Sequence, residues 1–94
     1  MRTALIDELT TLAARDPKVV LIVNDVGFSV IEPFQQRFPE RFINAGVAEA
    51  NMIGVAAGLA LTGHRVFVYA IAPFTTYRCL EQIRLDLCRT KLPV

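Results

Sequence analysis

Val19-Val20-Leu21-Ile22-Val23, followed at once by Asn24-Asp25-Val26-Gly27, decides the fold of this chain. The five apolar residues are mostly β-branched and contain no polar alternate. A strand with one wet face would alternate, so the run reads as a central parallel strand covered on both faces. Covering it requires helices on either side, and the neighbouring sequence offers them. Leu5, Leu9, Leu12 and Ala13 form an i, i+4, i+7, i+8 stripe, and Asp16-Pro17 stops that helix. A short helix is expected from Glu32-Pro33, because proline suits a first turn, ending before Phe38-Pro39. Phe42 to Ala45 reads as a second strand, Glu49 to Leu61 as a buried helix closed by Gly63, and Val66 to Ile71 as a third strand. Thr75 or Thr76 is placed to cap a last helix with Leu80, Ile83 and Leu87 facing inward. Strand and helix alternate throughout. The predicted class is α/β, an open, mainly parallel sheet with flanking helices, and function belongs at the C-terminal ends of its strands.

Three polar or aromatic residues fall at those ends: Asp25 after strand one, Glu49 after strand two and Phe74 after strand three. Glu49 is the most informative of them. The helix it opens continues as Ile53-Gly54-Val55-Ala56-Ala57-Gly58-Leu59-Ala60-Leu61, a run apolar all round that must be buried. Three readings of Glu49 are open. It can complement the positive end of its helix, a contribution of about 0.3 to 1 kcal/mol. It can form a buried ion pair with an arginine. It can also have its pKa raised by desolvation, so that it holds or shares a proton with a ligand nitrogen near neutral pH.

Composition excludes several classes. Ninety-four residues allow one small domain, and 53% apolar content is high for that size, so part of the apolar surface calls for a partner. Ten basic against nine acidic residues, interspersed, give no footprint for nucleic acid or an anionic membrane. The N-terminus alternates charge with apolar residues, unlike a signal peptide, and no apolar run approaches the roughly 18 residues of a membrane span. Cys79 and Cys88 are expected on one helix, about half a turn apart and unable to bridge; without a Cys-x-x-Cys spacing or nearby His they read as reduced thiols in a cytoplasmic protein, not metal ligands. His64, the lone histidine, is expected in a solvated loop.

Five segments in order, Val23 to Ser29, Phe38 to Asn44, Gly46 to Met52, Gly54 to Ala60, and Ile71-Ala72-Pro73-Phe74 through Glu81-Gln82-Ile83-Arg84, resemble the pyrimidine-binding domain of transketolases, nearest to the C-terminal subunits of split transketolases. The same layout recurs in 1-deoxyxylulose-5-phosphate synthase and in beta subunits of 2-oxo acid dehydrogenases. The resemblance implies the thiamine diphosphate-binding fold and a subunit or fragment of an enzyme moving a two-carbon ketol unit between sugar phosphates. It implies Glu49 as the catalytic acid at N1' of the cofactor's aminopyrimidine, and Phe74 as the aromatic packed on that ring. Offset stacking of that kind is worth about 0.5 to 1.5 kcal/mol beyond area burial. Asp25, Val47 and Tyr77 are the further cofactor-binding candidates and Ser29 the substrate-binding one; Asp25 and Ser29 read equally well as turn formers. Apolar Val47, Met52 and Ile53 are expected to help keep Glu49 protonated. Gly54 and Gly58 permit close helix approach, either at the subunit interface or against the chain's own sheet.

Two departures from the family pattern matter. Ala50 stands where Gln or His commonly follows the catalytic Glu, and the Gly-Asp-Gly motif with its later Asn, which binds magnesium and diphosphate, is absent. A partner, the diphosphate-binding subunit, is therefore expected to bind magnesium, in a homo- and hetero-oligomer, and the isolated chain is expected to be inactive. Residues 1–94 are expected to be the N-terminal portion of the pyrimidine-binding domain. Two alternatives stand beside the transferase: a non-catalytic assembly module, and a subunit of another thiamine diphosphate enzyme.

Overall fold

The computed structural model describes residues 1–94. Its centre is β1 (Val19–Val23), every residue of which is buried. β2 (Phe42–Asn44) and β3 (Arg65–Tyr69) pair with β1 in parallel on either side, giving the order β2-β1-β3. Leu21 lies opposite Phe42 and Phe67, and Val23 opposite Asn44 and Tyr69, so all three strands end at one level.

Successive side chains on a strand face opposite ways, and β1 divides its residues accordingly. Val19, Leu21 and Val23 pack with Ile6, Leu9 and Ala13 of α1 (Arg2–Arg15) and with Ile31, Phe34 and Phe38 around α2 (Glu32–Arg37). Val20 and Ile22 pack with Met52, Ala56 and Ala60 of α3 (Glu49–Leu61) and with Val66. The α1 stripe is offset from expectation, since Ile6 is buried and Leu5 is exposed. The helix meets the sheet at i, i+3, i+7, and Arg41 Nη1 closes its end by donating to the carbonyls of Ala13 and Asp16 at 3.0 Å each.

The helix α3 is sandwiched rather than enclosed. Ile53 and Ala57 pack with Cys79 and Leu87 from the last segment, opposite the sheet-facing residues. A third face remains open: Gly54, Val55, Gly58 and Leu61 are all exposed. A Cβ on Gly54 or Gly58 would meet nothing within 4 Å. Neither glycine serves close packing on the chain's own sheet. The expectation of burial all round is corrected here, because a 13-residue helix lies against only two neighbours.

The last segment also departs from the single capped helix. It runs as α4 (Ala72–Thr75), a 3-10 turn (Tyr77–Cys79), α5 (Leu80–Gln82) and a π-helical turn (Ile83–Cys88). Pro73 starts α4 early, and both threonine hydroxyls donate backwards to the Ala72 carbonyl instead of capping a helix ahead of them. Leu87 is buried and Ile83 half-buried, whereas Leu80 is exposed. Cys79 is buried and Cys88 exposed, with no disulfide between them. His64 sits in the α3–β3 loop, half-buried, its Nδ1 3.0 Å from Thr62 Oγ1. No helix is long and apolar enough to cross a membrane.

Candidate functional site

The level ends of β1 and β2 are tied together by Asn44. Its Oδ1 accepts from the backbone N–H groups of Asp25 (3.0 Å) and Gly46 (2.9 Å), and its Nδ2 donates to Asp25 Oδ1 at 3.0 Å. Asp25 takes a left-handed backbone, φ 60°, which Asp tolerates better than most residues. The clamp fixes the short turn through Gly46 (φ 70°) that delivers the chain into α3, and Glu49 is the first residue of that helix.

Glu49 is 5% exposed. Two donors converge on its Oε1: Asn24 Nδ2 at 2.8 Å and Arg78 Nη1 at 3.0 Å. Asn24, the residue that closes β1, is 2% exposed, and its own Oδ1 has no hydrogen-bond partner. Arg78 lies in the 3-10 turn after α4, its side chain half-exposed, with Cζ 3.8 Å from the centroid of the Phe74 ring. One planar guanidinium therefore stacks on an aromatic face while donating to a buried carboxylate. The surface hollows leave this place out: the one at the strand ends is lined by Val26, Gly27, Tyr69, Ala70 and Ile71 among others, and none reaches Glu49.

Electrostatics corrects one expectation. The Glu49 carboxyl is held below its ordinary value, chiefly by its own backbone N–H at the start of α3, and further by the Asn24 amide and the Arg78 charge, which together outweigh burial. The apolar neighbours do not keep it protonated. Met52 and Ile53 are buried in the clusters on either side of α3, and Val47 is 77% exposed. Of the three readings open for Glu49, the structure supplies the ion pair and the helix-start position together, with no raised pKa. Burial pushes the neighbouring Cys79 thiol up, and the Glu49 charge adds to it; Cys79 Sγ donates to the Phe74 carbonyl at 3.3 Å.

The structure thus joins Glu49 to Phe74 through Arg78. It places Asp25 on the Asn44 clamp, one residue from Asn24. Ser29 (φ 67°) lies in an exposed turn whose N–H donates to Glu32 Oε1 at 2.8 Å, and Tyr77 is 83% exposed. Neither of these, nor Val47, is hydrogen-bonded to the carboxylate. Sequence reasoning missed Asn24 and left the arginine unnamed. The available signals were an Asn closing an apolar strand and an Arg four residues beyond Phe74. No group of three or more His, Cys, Asp or Glu converges to hold a metal ion.

Comparison with known proteins agrees with this architecture. The sequence pattern of the family "Transketolase, pyrimidine binding domain" matches residues 1–94. The chain is 38% identical over 87 residues to an apulose-4-phosphate transketolase subunit of Phocaeicola vulgatus, a match covering 92% of this chain and 28% of that protein. It is 38% identical over 95 residues to a 6-deoxy-6-sulfo-D-fructose transketolase subunit of Clostridium sp. (strain MSTE9), covering all of this chain and 30% of the relative. The solved inactive beta4 tetramer of a split-gene transketolase superimposes with a TM-score of 0.90 at 40% identity, over 99% of this chain and 31% of that one. The chain thus spans somewhat under a third of the length of each.

Proposed function

The chain belongs to the transketolase pyrimidine-binding domain family, and from that premise we propose that it forms the pyrimidine-binding half of a thiamine diphosphate site in an enzyme transferring a two-carbon ketol unit between sugar phosphates. The observation that carries this reading is the Arg78 guanidinium itself. A flat, nitrogen-bearing group rests 3.8 Å above Phe74 and donates to Glu49 at 3.0 Å. An aminopyrimidine makes the same two demands, a stacking face and a carboxyl in its plane. The Oδ1 of Asn24, on the residue that also donates to Glu49, is a buried acceptor without a hydrogen-bond partner. The residues present fit the ring.

When bound, thiamine diphosphate supplies the carbanion chemistry. Glu49 holds or shares a proton at the ring's N1'. With a neutral ring in the place of Arg78, the carboxyl loses a cation while its burial stays, and that loss moves its pKa upward toward proton sharing. Asn24 fixes the carboxylate's direction through Oε1, and Phe74 sets the plane of the ring. Asp25, through Asn44, holds the turn that aims α3. We assign Val47 and Tyr77 to the rim, where their exposure suits contact with a second subunit, and Ser29 to the sugar phosphate.

We place diphosphate and magnesium on a partner subunit, a reading supported by the likeness to subunits of split transketolases. The open Gly54–Gly58 face of α3 supports assembly through that helix. The solved relative is inactive as a beta4 tetramer, which supports catalysis by a mixed complex rather than by this chain by itself. The two relatives differ in sugar at equal identity, so the donor is left as the class of ketose phosphates.

The test is ketol transfer from xylulose 5-phosphate to ribose 5-phosphate by the full-length subunit with its diphosphate-binding partner, magnesium and thiamine diphosphate. Replacing Glu49 by Gln keeps the shape and removes the acid; a fall of about 10²- to 10⁴-fold in kcat is expected for a lost proton-transfer group. A Glu49→Gln complex as active as the native one would refute the role.

A further inference from the structure

We infer that Arg78 is a resident placeholder for the pyrimidine ring, occupying the Phe74–Glu49 slot in the cofactor-free subunit and swinging out when the cofactor enters. This rests on the cofactor reading above and extends it to a residue that controls access to the site.

Three observations carry it. The guanidinium makes both contacts a ring would need, on Phe74 at 3.8 Å and on Glu49 at 3.0 Å. No hollow opens onto Glu49 while Arg78 is in place. The arginine side chain is also half-exposed, unlike the enclosed Asn24, so leaving the slot requires rotation of a long side chain into water and no change in the fold. Its backbone stays fixed because the next residue, Cys79, is fully buried.

The physical reason for such a residue lies in Glu49. A buried carboxylate without a counter-charge is strongly destabilising, and the site must exist before the cofactor arrives. Arg78 offsets that charge in the free subunit. The cofactor must then displace it, and the apparent affinity falls by the fraction of time the slot is open. A placeholder present about 80 to 95% of the time weakens binding by about 5- to 20-fold. A residue that instead held the bound ring would do the opposite, so the sign of the effect decides.

The experiment is calorimetric and stopped-flow titration of the full-length subunit, paired with its diphosphate-binding partner, with thiamine diphosphate and magnesium. Native protein is compared with Arg78→Met, which keeps the stem and removes the plane, and with Arg78→Lys, which keeps the charge and loses the stack. The expected result is a Kd about 5- to 20-fold tighter for Arg78→Met, through a faster on-rate at unchanged off-rate, with Arg78→Lys in between. In the native protein, which needs no variant to fold, exchange of the Arg78 guanidinium N–H groups with solvent is expected to speed up when the cofactor binds. An unchanged or weaker Kd in Arg78→Met, or guanidinium exchange that slows on binding, would overturn the placeholder while leaving the cofactor reading intact. Absence of cofactor binding in native and variant proteins alike would overturn the cofactor reading, and the placeholder with it.

Discussion

At the scale of single residues the site is a balance of one carboxylate against its donors, and pH reads that balance. The folded pKa of Glu49 lies below its ordinary value of 4.5, so between the two the unfolded chain binds more protons than the folded one. Stability therefore rises with pH across that window, is complete above about 4.5, and is lost as pH falls through the folded value. Urea midpoints of the native protein should drop below pH 4.5, and Glu49→Gln should flatten that acid limb; equal slopes would mean that Glu49 contributes nothing there. Cys79 and Cys88 offer a second check. Cys79 is buried with its thiol pushed up, so iodoacetamide at pH 8 should alkylate Cys88 alone until the protein is unfolded, as peptide mass spectrometry would show. Glu49 and Phe74 were legible in the sequence because each sits next to a strand end that the hydrophobic pattern marks. Asn24 and Arg78 were not: Asn24 also follows a marked run but is an uncharged residue of a kind common in turns, and nothing in the sequence links Arg78 to a carboxylate 29 residues away. Only the folded sheet brings them together.

At the scale of elements, β1, α2 and α3 were legible locally, whereas α1 buries Ile6 in place of Leu5 and β3 ends at Tyr69, short of the expected Ile71. β1 is the buried run itself; α2 begins at Glu32-Pro33, and α3 runs from Glu49 to Leu61 with Gly63 beyond it at φ 92°. The last segment resisted because its course is set by what it covers. Cys79 and Leu87 must reach Ile53 and Ala57, and the backbone changes helix type between them to do so. The face of α3 that this segment leaves bare makes a prediction of its own. Gly54 and Gly58 have φ in the ordinary range and open space where a side chain would go. Within the chain, Gly54→Ala should stabilise by about 0.5 to 1 kcal/mol, the usual penalty of a mid-helix glycine removed. Gly58→Leu should leave the circular dichroism spectrum intact and prevent assembly of the full-length subunit, seen as loss of the oligomer in sedimentation velocity. An oligomer that persists would remove this face from the interface.

At the scale of the molecule the polar cluster lies at one end of the sheet. The C-terminal ends of the strands gather Asn24, Glu49 and Phe74 into one cluster through Arg78, and the proposed function gives all three to the cofactor ring. Ser29 alone is assigned to the sugar, and its turn is exposed, with its backbone already engaged by Glu32. Most of what a ketose phosphate touches must then lie outside residues 1–94, in the remaining two thirds of such a subunit or in its partner. This division makes the sugar preference separable from the segment. If residues 1–94 replace the corresponding segment of the apulose-4-phosphate transketolase relative, the chimera, with that relative's own partner, should keep its preference for apulose 4-phosphate. The ratio of kcat/KM values between that donor and xylulose 5-phosphate is the measurement, because a ratio cancels any general loss of activity from the graft. The slot itself should meanwhile follow the grafted segment, with Glu49→Gln lowering kcat of the chimera by the same factor of about 10² to 10⁴. A donor ratio that moved with residues 1–94 would place selectivity at the Ser29 turn, leaving the strand ends responsible for both cofactor and sugar.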